Sequence, residues 1–238
     1  TTEKCRPLSL AGFQVNFVRH FRREGEDILL SCGFAECSDQ CPSVFWMYRR
    51  NFIDDYTSPE IISFQGKINQ SLPRASRMSV TSNCSLLIRN LHSEDAGLYG
   101  FGLAEFLEIL IFVFLFIFLV SSSPSNVAER VDLTCSLKSP RGLDDCSPGR
   151  LIWLDETGTE LSGKNAEFEV NPHKQCVSVL TVKRQSGNSK KFTCKFVEDD
   201  QVMIDLVYIL TGKTFHPFGV LLLQTIYHLL YHLFQRSK

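Results

Sequence analysis

The side chains of this 238-residue sequence best suited to chemistry are nine cysteines and six histidines. Thiolates and imidazoles hold a metal when three or four converge, and a thiolate beside an imidazole makes a nucleophile. His228 and His232 have the i, i+4 spacing of a helical zinc site, but no Glu lies between or beside them and no third ligand accompanies them. Cys32, Cys37 and Cys41 are near enough in sequence to share a metal, yet the cysteines as a set stand singly at wide intervals instead of in the pairs of a zinc ribbon. Neither a Gly-x-Ser-x-Gly elbow nor a phosphate-loop or dinucleotide glycine pattern occurs. The expectation is therefore no enzyme, no cofactor and no metal. What dispersed cysteines do in an oxidising compartment is pair into disulfides.

The elements that must position these residues follow from pattern. With 44% hydrophobic and 21% charged residues, the chain can bury a core, and its length suits two domains of ~100 residues. Net charge is -1 with Lys and Arg spread along the sequence, which disfavours a nucleic-acid partner. The chain opens Thr1-Thr2-Glu3-Lys4-Cys5 with neither an initiator Met nor an apolar leader, which reads as a processed or truncated start.

The two halves repeat each other: Cys32, Cys41, Trp46, Cys84 and Tyr99 in the first are matched by Cys135, Cys146, Trp153, Cys176, Phe192 and Cys194 in the second. Ile28, Leu30 and Cys32 alternate with other residues, as do Val131, Leu133 and Cys135, and Phe192, Cys194 and Phe196. Each set forms one face of a half-buried strand. Turn residues at Arg23-Glu24-Gly25-Glu26 and Thr157-Gly158-Thr159 separate such segments, and no helical period is sustained before residue 211. The fold class expected is all-β. Ser121-Ser122-Ser123-Pro124-Ser125-Asn126 is small and polar and reads as an extended linker. The division is then a first domain over 12–120, a linker over 121–126, a second domain over 127–210 and an apolar tail over 211–238.

A Cys on one strand, a Trp about 15 residues on and a second Cys beyond is the core pattern of the immunoglobulin sandwich, and both halves resemble that superfamily. Asn90-Leu91-His92-Ser93-Glu94-Asp95-Ala96-Gly97-Leu98-Tyr99 is similar to the family's turn into strand F. The resemblance implies a tyrosine corner at Tyr99 and a pair between Arg77 and Asp95, around buried Trp46 and Trp153. The interval from Trp46 to Cys84 is longer than that from Trp153 to Cys176. The first half therefore resembles a variable-type domain with room for extra strands, and the second a constant or intermediate type. It also implies the bridge Cys135 to Cys194 and a second pair in each half, Cys41 with Cys84 and Cys146 with Cys176, as in leukocyte receptors including T-cell co-receptor-like proteins.

The first half departs from the family at Phe101, which stands where the second core cysteine belongs. Losing such a bridge costs ~2–5 kcal/mol, so the first domain should be the weaker one. Cys5, Cys32 and Cys37 are left over: Cys32 is expected as a buried thiol against Phe101, and Cys5 as the intermolecular candidate.

Two apolar segments bear on the membrane. The run from Ile109 to Val120 would reach only about 18 Å as a helix, short of the ~30 Å hydrocarbon core. As a strand it is apolar on both faces and should leave an exposed surface once its inward positions are buried. An alternative is translated intron, since such residues have pyrimidine-rich codons. Phe215 to Phe234 is ~20 residues long, just enough to span, with Gln224, His228 and His232 inside it and Arg236 and Lys238 after it. It reads as a transmembrane or membrane-associated helix, or as the remnant of a truncated chain.

Asn69-Gln70-Ser71 and Asn83-Cys84-Ser85 match the N-glycosylation pattern, Asn69 being the better candidate. The function expected from the resemblance is a cell-surface, single-pass immune-type receptor or co-receptor binding a protein ligand on another cell or in solution. Alternatives are a secreted form, an adhesion or homodimerising protein, and an aberrantly spliced receptor form. The sequence assigns no ligand-binding residues; Asn51-Phe52-Ile53-Asp54-Asp55-Tyr56 is a candidate loop for aromatic and polar contacts.

Overall fold

A computed structural model of the chain describes residues 16–32, 41, 43–50, 58–104, 108–126, 129–140, 146, 149–173, 176–183 and 189–211. Cys5, Cys37, the loop 51–56 and the tail beyond residue 211, with its expected helix, lie outside them. The described residues are all-β apart from two 3-10 turns, and no helix among them is long and apolar enough to cross a membrane.

The strands of the first half are β1 (Asn16–Arg23), β2 (Ile28–Leu30), β3 (Val44–Arg49), β4 (Glu60–Phe64), β5 (Lys67–Ile68), β6 (Met78–Val80), β7 (Leu86–Ile88) and β8 (Gly97–Leu103). After them comes β9 (Glu108–Pro124), and then β10 (Arg130–Lys138), β11 (Leu151–Leu154), β12 (Glu160–Leu161), β13 (Phe168–His173), β14 (Val177–Lys183), β15 (Lys190–Glu198) and β16 (Gln201–Leu210). Three sheets result: β2-β7-β6, β12-β11-β15-β16, and one of nine strands that runs β13-β14-β10-β9-β8-β3-β4-β5 with β1 beside β9.

Alternation decides which side chains go inside. Ile28 and Leu30 are buried on β2 while Leu29 between them is half exposed, and Val131, Leu133 and Cys135 are buried on β10. The β4–β5 hairpin turns on Gln65 (φ 51°) and Gly66 (φ 72°), two consecutive left-handed residues that match the strand twist.

One core lies between β2-β7-β6 and the β3, β8 and β9 part of the large sheet, built around Trp46, Tyr99 and Phe101. The other lies between β10, β14 and the β11, β15, β16 sheet, built around Trp153 and the Cys135–Cys194 bridge.

Strand β9 belongs to both. Its 17 residues extend over about 55 Å. Along one edge β1 runs parallel to it, from Asn16 opposite Ile111 to Arg23 opposite Phe118. The other edge is taken first by β8, as far as Gly97 opposite Leu115, and then by β10, from Lys138 opposite Ile117 to Val131 opposite Pro124. Val113, Leu115 and Ile117 point into the first core, and Phe114, Phe116 and Phe118 into the second cluster. Both faces are apolar because each has its own core to fill.

Two expectations are corrected here. The apolar run leaves no exposed surface between Val113 and Phe118, all of which are buried. The serines at 121–123 with Pro124 are not a linker; they are the end of β9, paired in register with β10. Small polar side chains do not prevent this, because the ladder is made by backbone groups alone.

Tyrosine burial gives the fold an alkaline limit. The Tyr99 hydroxyl is pushed well above its usual range, first by burial and then by the nearby Asp95 charge, and burial pushes Tyr48 in the same direction. Above about pH 10 the unfolded chain loses these protons while the folded protein keeps them. The stability they contribute is therefore complete below that pH and declines as pH rises through the raised folded values. Urea titrations across about pH 8 to 11 should show this decline, and a Tyr48→Phe variant should show a shallower one. A flat profile would contradict it.

Candidate functional site

The disulfides set the geometry from which any binding surface is displayed. Cys41, just ahead of β3, is bonded to Cys84, just ahead of β7, with Cα atoms 5.7 Å apart. Cys135 on β10 is bonded to Cys194 on β15 across the second core. Cys146 is bonded to Cys176, which immediately precedes β14. Cys32 is a buried free thiol: its Sγ lies 2.6 Å from the Asn83 carbonyl oxygen, and the Ser85 hydroxyl donates to it at 3.7 Å. Phe101 fills the first core beside Trp46, with ring centroids 5.1 Å apart.

The turn into β8 is held by polar groups with few alternatives. Asp95 is fully buried, and its carboxylate accepts two bonds from the Arg77 guanidinium, at 2.7 and 3.0 Å, plus one from the His92 backbone N–H at 2.9 Å. The Tyr99 hydroxyl donates to the Asp95 carbonyl at 2.8 Å. Gly97 follows where a Cβ would overlap the Tyr48 ring and come within 2.9 Å of the Arg49 carbonyl. Trp46 donates from Nε1 to the Cys84 carbonyl and Trp153 to the Ser178 hydroxyl, so each indole satisfies its one donor while its rings fill a core.

The sequons differ in access. Asn69 is exposed, and its Oδ1 accepts bonds from the N–H and hydroxyl of Ser71, while Ser85 of the second sequon is 1% exposed and engaged with Cys32. Intact mass and glycopeptide mapping of the chain expressed through a secretory pathway should find a glycan at Asn69 and none at Asn83. Occupancy at Asn83 would contradict this.

A second set of residues comes together where the halves meet. On β1, Phe17, Arg19, Phe21 and Arg23 alternate toward the second half. Phe21 stacks on Phe116 at 4.7 Å and meets Phe196 at 5.8 Å. The Arg19 guanidinium lies 5.1 and 5.2 Å from the ring centres of Phe21 and Phe116. Its Nη2 donates to both carboxylate oxygens of Glu198 at 2.9 Å, and Arg150 donates to the same carboxylate at 2.9 Å. Arg23 donates to Glu26 and Asp205, whose bonds, that to Glu26 first, hold its guanidinium above its ordinary pKa.

Two clefts flank this seam. One of about 390 Å³ is lined by the Arg19–Glu198–Arg150 cluster and by phenylalanines of β1, β9 and β15, and one of about 350 Å³ lies beside Arg23 and Asp205. The alternation Phe-x-Arg-x-Phe-x-Arg over 17–23 is a local signal for this surface that sequence reasoning passed over. Its partners, Phe196 and Glu198 on β15 and Asp205 on β16, lie too far along the chain to be paired with it from sequence. Among the described residues, no group of three or more His, Cys, Asp and Glu could hold a metal ion.

Comparison with models of known families and with curated proteins finds no match.

Proposed function

We propose that this chain is a cell-surface, immune-type receptor or co-receptor of the immunoglobulin kind that binds a protein ligand. The observation that carries this reading is the pair of disulfide-crosslinked cores, one tryptophan in each, coupled through one shared strand. The three disulfides among the described residues suit a chain that matures in an oxidising compartment and works outside the cytosol. The exposed Asn69 sequon agrees with this.

Protein ligands are bound by solvent-facing surface with large side chains, and β4 offers Ile61 and Phe64, both more than 40% exposed. The alternative in which the apolar run of β9 joins two chains would have to use residues other than Val113 to Phe118, which are buried within the molecule.

Fluorescent tetramers of the secreted chain test the proposal. Staining of intact cells that disappears when those cells are treated with protease is the expected result. Absence of staining across immune and non-immune cell types, or staining that survives protease, would overturn it.

A further inference from the structure

We infer that the larger seam cleft is a recognition site for an acidic, aromatic peptide segment of a partner protein; this rests on the reading of the chain as a protein-binding receptor. The chemistry of the walls is specific. Phe17, 59% exposed, stacks on Phe112 and Phe114 and forms an open aromatic wall. Behind it stand two guanidiniums, Arg19 and Arg150, that share the single carboxylate of Glu198. The cluster therefore carries a surplus positive charge on a chain whose net charge is -1.

Each guanidinium has five N–H donors, and the bonds to Glu198 employ Nη2 of Arg19 and Nη1 of Arg150. Arg19 also lies over two phenyl rings, whose faces attract the cation without consuming its N–H donors. Side chains of Arg19 and Arg150 are 47% and 32% exposed, so a ligand can reach both. The cleft volume of about 390 Å³ lies within the range that admits one or two side chains, and it sits at a junction between two packed units, where ligand sites concentrate. Aromatic walls with a surplus guanidinium fit an Asp or Glu next to a Tyr or Phe. A basic segment would meet like charge.

The test uses the whole secreted chain and a fluorescein-labelled Asp-Tyr-Glu-Phe amide, read by anisotropy beside its neutral counterpart Asn-Tyr-Gln-Phe. The acidic peptide should bind about tenfold more tightly, the worth of one charge-assisted hydrogen bond. Arg150→Gln should weaken its binding about tenfold, and Glu198→Gln, which removes the competing carboxylate, should strengthen it about fivefold. A gain of that kind cannot come from misfolding. Equal binding of the two peptides, or variants that shift affinity in the same direction, would overturn the assignment.

Tetramers of the Arg150→Gln chain separate this proposal from the one beneath it. If they stain cells as well as the unaltered chain does, the cleft is not the contact and the receptor reading stands. If the peptide preferences hold while no cell stains, the cleft stands and the receptor reading fails.

Discussion

Phe118→Ala lowers the stability of the protein by about 3–5 kcal/mol, and Leu115→Ala by about 2–5 kcal/mol, in urea unfolding followed by circular dichroism. Both side chains are fully buried on the same strand, Phe118 in the second core and Leu115 in the first. Each truncation removes apolar contact and leaves a cavity that the surrounding sheet fills only in part. Because β9 is hydrogen-bonded to β8, β1 and β10, a loosened β9 affects both halves. Either substitution should therefore shift one common transition. A loss of less than ~1 kcal/mol at both positions would mean that β9 is not packed as described.

Arg77→Ala should cost about 3–5 kcal/mol, because it leaves the Asp95 carboxylate buried without its counter-charge. Arg77 holds that carboxylate with both of its terminal nitrogens, Nη1 and Nη2, and the carboxylate in turn caps the turn ahead of β8 through the His92 N–H. Arg77→Lys keeps the charge but loses the fork, so an intermediate cost is expected. Adding Asp95→Ala to Arg77→Ala should recover part of the loss, since no buried charge then remains. A double-mutant cycle in urea measures this directly. Strict additivity of the two single substitutions would contradict a coupled pair.

Much of the first-half corner was legible because its parts are close in sequence or tied to a recurrent pattern. Asp95 and Tyr99 sit within one turn, and Arg77 precedes a short strand at a recognisable interval. The cysteines joined among the described residues are ones that the immunoglobulin resemblance pairs. β9 was harder to read for a physical reason. Alternation reveals which face is inward only when one face is polar, and here Val113, Leu115 and Ile117 serve one core while Phe114, Phe116 and Phe118 serve the other. The same strand continues through three serines whose side chains carry no strand signal, because its pairing with β10 is a matter of backbone groups.

The seam cleft was out of reach for a different reason. Arg19, Arg150 and Glu198 come from β1, the approach to β11, and β15, and their convergence depends on the way β1 lies along β9. Charge spread evenly along a sequence can still be concentrated in space. In this way a chain of net charge -1 brings Arg19 and Arg150 together on one carboxylate, Glu198, among phenylalanine rings.

Coupling of the halves through β9 is tested most directly by pulse-labelling hydrogen exchange across a urea titration of the unaltered protein, reading peptides that cover β7 in the first core and β15 in the second. The shared strand predicts that both lose protection at the same urea concentration. If β7 opens at a clearly lower concentration while β15 stays protected, the halves fold independently and β9 does not join them.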